Sequence, residues 1–163
     1  MKELSKRKST RLKEFDYSQF GYYFVTICIK DRKDFFSKIE NSSIVLSKFG
    51  NIIDEMLINF HSYYNVEIDY YVIMPDHIHL IIILDKDESK NNYSLSDVIG
   101  KFKSFSSKQI RKILQGEEKF EWQKSFYDRI IRNEKELYQI RKYIQENPLR
   151  WDIEKDNPEN LIM

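Results

Sequence analysis

The sequence predicts an α+β domain of the ferredoxin-like class: a β-α-β-β-α-β antiparallel sheet with helices on one face, followed by a C-terminal helix. The other face of the sheet is expected to be open for a site. One observation behind this is that short runs of β-branched and aromatic residues alternate with longer segments whose apolar residues recur every three or four positions. A second is the length of 163 residues, which suits one domain with its own core. We therefore predict a single domain over 1–163.

The first predicted elements are a strand, a short hairpin and a helix. Residues 22–29 are β-branched and aromatic and precede a charged run, a pattern typical of a strand. Residues 35–46 predict a hairpin with its turn at 41–43. Residues 47–64 predict a helix, because Ser47 is a suitable N-cap and the apolar residues behind it have helical spacing.

Two strands joined by a tight turn come next. Residues 66–74 alternate between polar and apolar before they become apolar, and Pro75-Asp76 predicts the turn. Residues 77–84 are apolar on both faces in their second half, which favours a central place in the sheet. Residues 85–92 are charged and predict a loop.

The last predicted elements are a basic helix, a strand and a final helix. Helical spacing of apolar residues predicts a helix over 95–114, ended by Gly116, and 126–131 predicts the fourth strand of the sheet. The final helix is predicted over 134–147 behind an asparagine N-cap, and Pro148 is expected to stop it.

Charge and cysteine content indicate the class of protein. The net charge is only +1, but residues 1–13 form a basic arm and residues 150–163 an acidic tail that is expected to be irregular. The basic arm is compatible with phosphate binding or with a solvated terminus. Cys28 is the single cysteine, so no disulfide within the chain is possible. With no apolar targeting segment at the N-terminus, we expect a cytoplasmic protein that does not enter membranes.

His77 and His79 are the first candidate functional residues. They are two apart on a predicted strand, so both side chains project from one face, with their Cα atoms about 6.5–7 Å apart. Two neutral imidazoles placed in this way can share one divalent metal ion, and we expect them on an exposed part of the sheet. The alternative is that both are ordinary histidines whose hydrogen bonds are satisfied in a core.

Tyr143 and Asn147 form a second candidate pair on the last helix. They are four apart, so they lie on one helical face about 6 Å apart along the axis. The amide oxygen of Asn147 can supply a further metal ligand, and the phenol of Tyr143 would then lie beside the metal. The alternative is that Tyr143 packs in the core and Asn147 caps the helix.

Three segments carry a resemblance to a known family. They are Tyr71–Leu80, Trp122–Asn133 and Tyr143–Leu149. Together and in this order they resemble the REP-associated tyrosine transposases, which belong to the single-tyrosine transposases with a His–hydrophobic–His motif. The resemblance extends over roughly residues 7–160.

The resemblance implies an activity and a set of site residues. The chain would be a transposase and endonuclease that cuts and rejoins single-stranded DNA, often at hairpin-forming repeats. His77, His79 and Asn147 would hold a divalent ion, Mg²⁺ or Mn²⁺, and Tyr143 would attack the phosphate to leave a 5′-phosphotyrosine and a free 3′-hydroxyl. Tyr127 is the next candidate for the nucleophile.

DNA binding requires cationic side chains and stacking surfaces. The candidates are Lys6, Arg7, Arg11, Lys101, Lys103, Arg129 and Arg132. Each can also be an ordinary surface charge, and the two arginines of the fourth strand would point to opposite faces if that strand extends so far. The protein is expected to act as a monomer or as a homodimer, since some relatives exchange the tyrosine helix between subunits.

Two other functions remain open at this point. Histidine-triad nucleotide hydrolases also place alternate histidines on a strand, but they need a third histidine where this chain has Ile81. A domesticated transposase that binds DNA repeats without cutting them is the other alternative.

The basic arm generates a first prediction. Deleting residues 1–13 should weaken binding to hairpin DNA and flatten its salt dependence, because fewer counterions are released. The slope should fall by about 0.7 for each single-strand phosphate that the arm neutralises. Affinities measured over a series of salt concentrations test this, and an unchanged slope would rule out a contribution of the arm to DNA affinity.

Overall fold

The structure is a computed structural model that describes residues 21–84 and 93–154. The basic arm, the predicted loop at 85–92 and residues 155–163 of the acidic tail lie outside the described residues. The strands are β1 (Gly21–Cys28), β2 (Ser37–Glu40), β3 (Ser43–Leu46), β4 (Glu67–Ile73), β5 (His77–Leu84) and β6 (Tyr127–Ile131). The helices are α1 (Lys48–Ile58), α2 (Phe60–Tyr64), α3 (Leu95–Leu114) and α4 (Glu134–Glu154). None of these helices has the length and apolar character needed to cross a membrane.

The main sheet has four strands in the order β4-β5-β1-β6, and every neighbouring pair is antiparallel. This order and the alternation of helices and strands along the chain confirm the predicted ferredoxin-like class. Strands β2 and β3 form a separate hairpin between β1 and α1. Asn41 and Ser42 at its turn have φ of 50° and 60°, which matches the two-residue hairpin turn that follows the twist of the strands.

The larger core lies between one face of the sheet and helices α1, α2 and α3. On the sheet side it contains the inward residues of the two central strands, and on the helix side it contains large apolar and aromatic residues. Fully buried members include Tyr23, Val25, Ile27, Ile78, Leu80, Ile82, Ile53, Phe60, Phe102 and Ile110. This is the layer of helices on one face that the sequence predicts.

The opposite face of the sheet is covered by α4. Phe24 and Ile81 of the sheet pack against Ile140 and Ile144 of the helix in a second, smaller core. Arg141 adds a polar tether, because its guanidinium binds both carboxylate oxygens of Asp69 on β4 at 2.7 Å. The expectation that this face is open is therefore wrong, since the apolar stripe of α4 requires a surface to bury it.

The predicted helix over 47–64 is divided into α1 and α2. Ser47 is the N-cap as predicted, and its hydroxyl accepts the N–H of Gly50 at 3.1 Å. Asn59 leaves the helical conformation with φ −95° and ψ 12°, and its side-chain amide donates to the carbonyl of Glu55 at 2.9 Å. Asparagine side chains compete with the backbone in this way, which is why apolar spacing alone did not reveal the break.

The N-cap of the last helix agrees with the sequence, but its C-terminal boundary does not. Asn133 accepts the N–H of Glu136 at 2.9 Å, as predicted for an N-cap. However, α4 continues through Pro148 to Glu154, so the predicted stop is wrong and the first part of the predicted irregular tail is helical. Proline in a helix costs about 3 kcal/mol. The packing of Trp151 against the second core, one turn beyond the proline, offsets part of that cost.

Gly50 generates a second prediction. A Cβ atom at this position would lie 2.0 Å from the backbone oxygen of Phe36, which cannot move as a flexible side chain would. Gly50→Ala should therefore lower the free energy of unfolding by about 3 kcal/mol or more, the upper range for overpacking.

Gly100 is the matched control, because it lies within α3 and a Cβ there would meet nothing within 4 Å. Gly100→Ala should raise the free energy of unfolding by about 0.5–1 kcal/mol. Urea denaturation of both variants measures the difference. Equal free energies for the two variants would contradict the steric argument.

Candidate active site

The first part of the site is the start of β5, where the turn from β4 fixes the position of His77. The N–H of Met74 donates to the carbonyl of His77 at 2.9 Å and closes the turn around Pro75 and Asp76. Within β5, His77 is opposite Cys28 and His79 is opposite Thr26 on β1. Because side chains alternate along a strand, His77 and His79 both project toward the face that α4 covers.

The two imidazoles lie against each other. Their Nε2 atoms are 3.1 Å apart and their ring centroids are 4.6 Å apart. The expectation of one shared face is confirmed, but the expectation of an exposed position is wrong, because both residues are 0% exposed. Helix α4 lies over this face and excludes solvent.

Each histidine is held by a hydrogen bond to its other ring nitrogen. Asp76 is 2.7 Å from Nδ1 of His77, and the hydroxyl of Thr26 is 2.7 Å from Nδ1 of His79. A carboxylate can only accept, so His77 donates from Nδ1 and presents a lone pair at Nε2. The proton between the two Nε2 atoms then belongs to His79, whose Nδ1 accepts from the hydroxyl of Thr26.

Burial sets the charge state of this network. It lowers the pKa of His77, although Asp76 partly opposes the shift, and it lowers the pKa of His79 further, with the neighbouring His77 acting in the same direction. Burial acts to raise the pKa of Asp76. Hydrogen bonds from His77 and Arg32 outweigh that effect, so the pKa of this carboxyl lies below its usual value. At neutral pH the site therefore holds two neutral imidazoles and one carboxylate.

Asp76, Arg32 and Thr26 were not recognised as site residues from the sequence. The Nε of Arg32 donates to Asp76 at 2.7 Å, so a surface arginine balances the charge of the buried carboxylate. From the sequence, the Pro75-Asp76 pair predicted only a turn. The one signal that Asp76 belongs to the site was its position directly before the candidate ligand His77. Thr26 gave no signal, because its contact depends on the pairing of β1 with β5.

The second part of the site is one face of α4. Tyr143 has its ring centroid 5.4 Å from that of His79, and Trp151 has its ring centroid 5.9 Å from that of His77. Asn147 lies one helical turn after Tyr143 and one turn before Trp151, on the same face of α4, and is 5% exposed. The structure therefore brings His77, His79 and Tyr143 together between α4 and the sheet, and Asn147 is buried on the same face of α4.

The spacing and chemical type of the candidate ligands can be compared with what a divalent ion requires. Two adjacent ligands of an octahedral ion at ~2.1 Å are about 3.0 Å apart, close to the 3.1 Å between the two Nε2 atoms. Among the described residues, no cluster of three or more His, Cys, Asp and Glu side chains is placed to hold a metal ion. The histidine pair would thus need a ligand of another type, and the amide oxygen of Asn147 is of the type that hard divalent ions accept.

Two further residues on this face carry reactive groups. Cys28 is opposite His77, and burial raises the pKa of its thiol to about 11, so it stays protonated and acts as a core residue, as predicted. Tyr127 is opposite Thr26 on the other side of β1 and lies in the same row of the sheet as His79. It is on a strand, whereas Tyr143 is on the helix that covers the histidines.

The predicted DNA-binding cations are dispersed. Lys101 and Lys103 are on α3, which packs on the sheet face away from the histidines. The ammonium of Lys103 donates to the carbonyls of Gln123 and Ser125 at 2.8 and 3.0 Å, so a DNA contact by Lys103 would compete with these bonds.

The remaining predicted cations lie near the start of α4 or outside the described residues. Arg129 pairs with Glu136 at 3.3 Å, and Arg132 is exposed just beyond the end of β6. Because β6 ends at Ile131, the expected placement of the two arginines on opposite faces of one strand does not arise. Lys6, Arg7 and Arg11 lie outside the described residues.

Two proteins of Haemophilus influenzae are similar to this chain. One, of uncharacterised function, is 34% identical over 165 residues, which cover 90% of each protein. The other, named as a candidate REP-associated tyrosine transposase, is 25% identical over 150 residues, or 88% of this chain and 80% of that protein.

Solved structures share the fold. A REP-associated tyrosine transposase bound to a REP hairpin superposes with a TM-score of 0.64 at 20% identity, covering 88% of this chain and 74% of that one. A candidate transposase from Deinococcus radiodurans gives a TM-score of 0.53 at 16% identity, covering 83% and 96%. The family model for IS200-like transposases matches residues 17–147. These results agree with the resemblance drawn from the sequence motifs, and the chain belongs to the IS200-like transposase family.

Proposed function

We propose that this transposase cuts and rejoins single-stranded DNA through a covalent bond to Tyr143, with a divalent ion held by His77, His79 and Asn147. The observation that carries the proposal is the placement of the Tyr143 ring 5.4 Å from the ring of His79. A tyrosine nucleophile must lie beside the groups that bind the scissile phosphate. Tyr143 meets that requirement from the helix that also supplies Asn147.

The covalent step follows the ordinary course of a phosphate transesterification. The phenolic oxygen of Tyr143 attacks the phosphorus, the bond from phosphorus to the 3′-oxygen breaks, and the phenolic proton is lost as the 3′-hydroxyl gains one. The products are a 5′-phosphotyrosine and a free 3′-hydroxyl. In the rejoining step a DNA 3′-hydroxyl attacks the phosphotyrosine and the phenol regains its proton, so no external energy source is needed.

The ion in this proposal is Mg²⁺ or Mn²⁺, which when bound polarises the phosphate and neutralises its charge. The residues of the chain prepare the site for it. Asp76 keeps the proton of His77 on Nδ1, which leaves Nε2 free to act as a ligand. Thr26 can accept a hydrogen bond as well as donate one, so it satisfies His79 in both neutral tautomers.

Access to the site depends on α4. Tyr143 and Asn147 are 6% and 5% exposed, and both histidines are fully buried, so a DNA phosphate reaches them only when α4 shifts from the sheet. The Arg141–Asp69 ion pair resists this shift, but Arg141 is 36% exposed and such a pair contributes little in water. We infer that α4 moves as a lid while the histidine pair remains on the rigid sheet.

Hairpin DNA is the proposed substrate. The support is the solved REP-associated tyrosine transposase, similar in fold to this chain, which is bound to a REP hairpin. A non-catalytic role in binding DNA repeats is the second candidate, and the full burial of the histidine pair is the observation that favours it. Cleavage assays on a hairpin substrate with Mn²⁺ separate the two.

The nucleophile generates a third prediction. Tyr143→Phe removes one oxygen and keeps the ring that packs on Phe24, so the fold should survive. Cleavage and the covalent protein–DNA adduct should fall below detection, because no other phenol on α4 faces the histidines. Denaturing gels detect the adduct, and mass spectrometry of the DNA-linked peptide locates it.

Two other tyrosines serve as controls for this variant. Tyr138 is on the same helix but 68% exposed, so Tyr138→Phe should cleave at the wild-type rate. Tyr127→Phe should also retain cleavage and adduct, if at a lower rate. An adduct on Tyr127, or wild-type activity in Tyr143→Phe, would overturn the assignment.

The metal ligands generate a fourth prediction. His77→Ala or His79→Ala should abolish both Mn²⁺ binding and cleavage while hairpin binding persists, because the ion loses a ligand. Asp76→Asn should weaken Mn²⁺ binding about 10–100-fold, since the amide no longer fixes the tautomer of His77. Electron paramagnetic resonance of free Mn²⁺ measures the affinity.

Asp54 provides the control for Asp76. It is also a hydrogen-bonded carboxylate, 2.6 Å from the hydroxyl of Tyr71, but it lies on α1 away from the histidines. Asp54→Asn should bind Mn²⁺ as the wild type does. Equal Mn²⁺ affinities for the Asp76 and Asp54 variants would count against the role given to Asp76.

A further inference from the structure

A groove between α2 and α3 exposes aromatic rings on the surface. Tyr63 is 56% exposed and Phe105 is 40% exposed, whereas their neighbours Phe60, Tyr64 and Phe102 are buried. The ring centroids of Tyr63 and Phe105 are 6.0 Å apart with an interplanar angle of 44°, so the two rings contact each other and still leave much of their surface in solvent. The groove has a volume of about 460 Å³.

The polar residues of this groove are basic or neutral. Lys101, Ser104, Phe105 and Lys108 are at positions i, i+3, i+4 and i+7 of α3, so they share one helical face that lines the groove with Tyr63. No carboxylate is among the lining residues within the described part of the chain. Both lysines therefore lie in the lining without an acidic residue beside them there. The ammonium of Lys101 lies 3.5 Å from the ring centroid of Tyr93, a contact that a phosphate would share or displace.

This combination fits unpaired nucleic acid better than a protein partner. Exposed rings offer stacking surfaces to bases of any sequence, and bordering lysines offer charge to phosphates. The seven-residue separation of Lys101 and Lys108 corresponds to about 10.5 Å along the helix, so the two ammonium groups can contact different phosphates of one strand. A protein partner for an aromatic groove would gain nothing from two bordering lysines unless it were itself acidic.

We propose that the Tyr63–Phe105 groove is a second DNA site, in which unpaired bases stack on the two rings while Lys101 and Lys108 contact the flanking phosphates. Helices α2 and α3 pack on the sheet face opposite α4, so this site is separate from the histidines and Tyr143. It holds single-stranded DNA that extends beyond the cleavage site. The proposal rests on the proposed function only in taking DNA as the substrate.

The test measures binding without chemistry. Fluorescence anisotropy with a labelled oligothymidine, which forms no hairpin, is recorded for the Tyr143→Phe protein without divalent metal, so failure of the cleavage mechanism does not affect the result. Tyr63→Ala and Phe105→Ala should each weaken binding roughly 5–160-fold, the range for one stacked base. Tyr138→Ala, which removes an exposed ring on α4, should bind as the parent protein does.

The lysines are tested by salt dependence. The double variant Lys101→Gln with Lys108→Gln should reduce the slope of log affinity against log salt by about 1.4, or 0.7 for each neutralised phosphate. Lys112→Gln, an exposed lysine on the same helix, is the control and should lower the slope by much less.

Crosslinking and sedimentation complete the test. Oligothymidine that carries 5-iododeoxyuridine should crosslink on irradiation to the peptide containing Tyr63 or to that containing Phe105. Unchanged affinity of both alanine variants, or crosslinks confined to other peptides, would overturn the proposal. A change from dimer to monomer in Tyr63→Ala and Phe105→Ala, with affinity per chain unchanged, would also overturn it and assign the groove to contact between copies of the chain.

Discussion

The packing of α4 across the sheet is the contact on which the rest of the site depends. Without it His77 and His79 would be two solvent-facing histidines on a strand, with pKa values little altered by burial. With it, both are fully buried and uncharged, and Tyr143 and Trp151 lie against their rings. The same contact explains why a helix persists through Pro148: Trp151, one turn beyond the proline, packs against the core that α4 closes.

Burying polar groups under α4 requires that their hydrogen bonds be satisfied, since an unsatisfied group in a core is costly. The chain Arg32–Asp76–His77–His79–Thr26 meets this requirement with side chains from β1, β5 and the two turns beside them. The carboxylate of Asp76 is balanced by Arg32 at the surface. This arrangement keeps both imidazoles neutral and oriented, which is the state in which histidine binds metal ions.

The two faces of the sheet are suited to different tasks. The face under α4 is closed, polar at its centre and rich in groups that can act on a phosphate. The face under α1, α2 and α3 is a conventional apolar core, and its outer surface has basic residues along α3. In the mechanism proposed above, this division places the histidine pair on the rigid strands and the nucleophile on α4, while binding of a long, flexible ligand can extend over the helices and loops around them.

The sequence by itself determined the strand and helix order, the shared face of His77 and His79, the helical register of Tyr143 with Asn147 and the N-caps Ser47 and Asn133. All of these follow from local periodicity or from a hydrogen bond between a side chain and the backbone a few residues away. A short stretch of sequence is therefore enough to predict them. The tertiary structure alone decided that α4 covers the second face, that it continues through Pro148, and that Thr26 and Asp76 orient the histidines. Most of these features join distant residues. The Thr26–His79 hydrogen bond spans 53 positions, and the Arg141–Asp69 ion pair that tethers α4 spans 72. Their energies come from burial between distant segments, which outweighs local preferences and leaves no periodic trace along the chain.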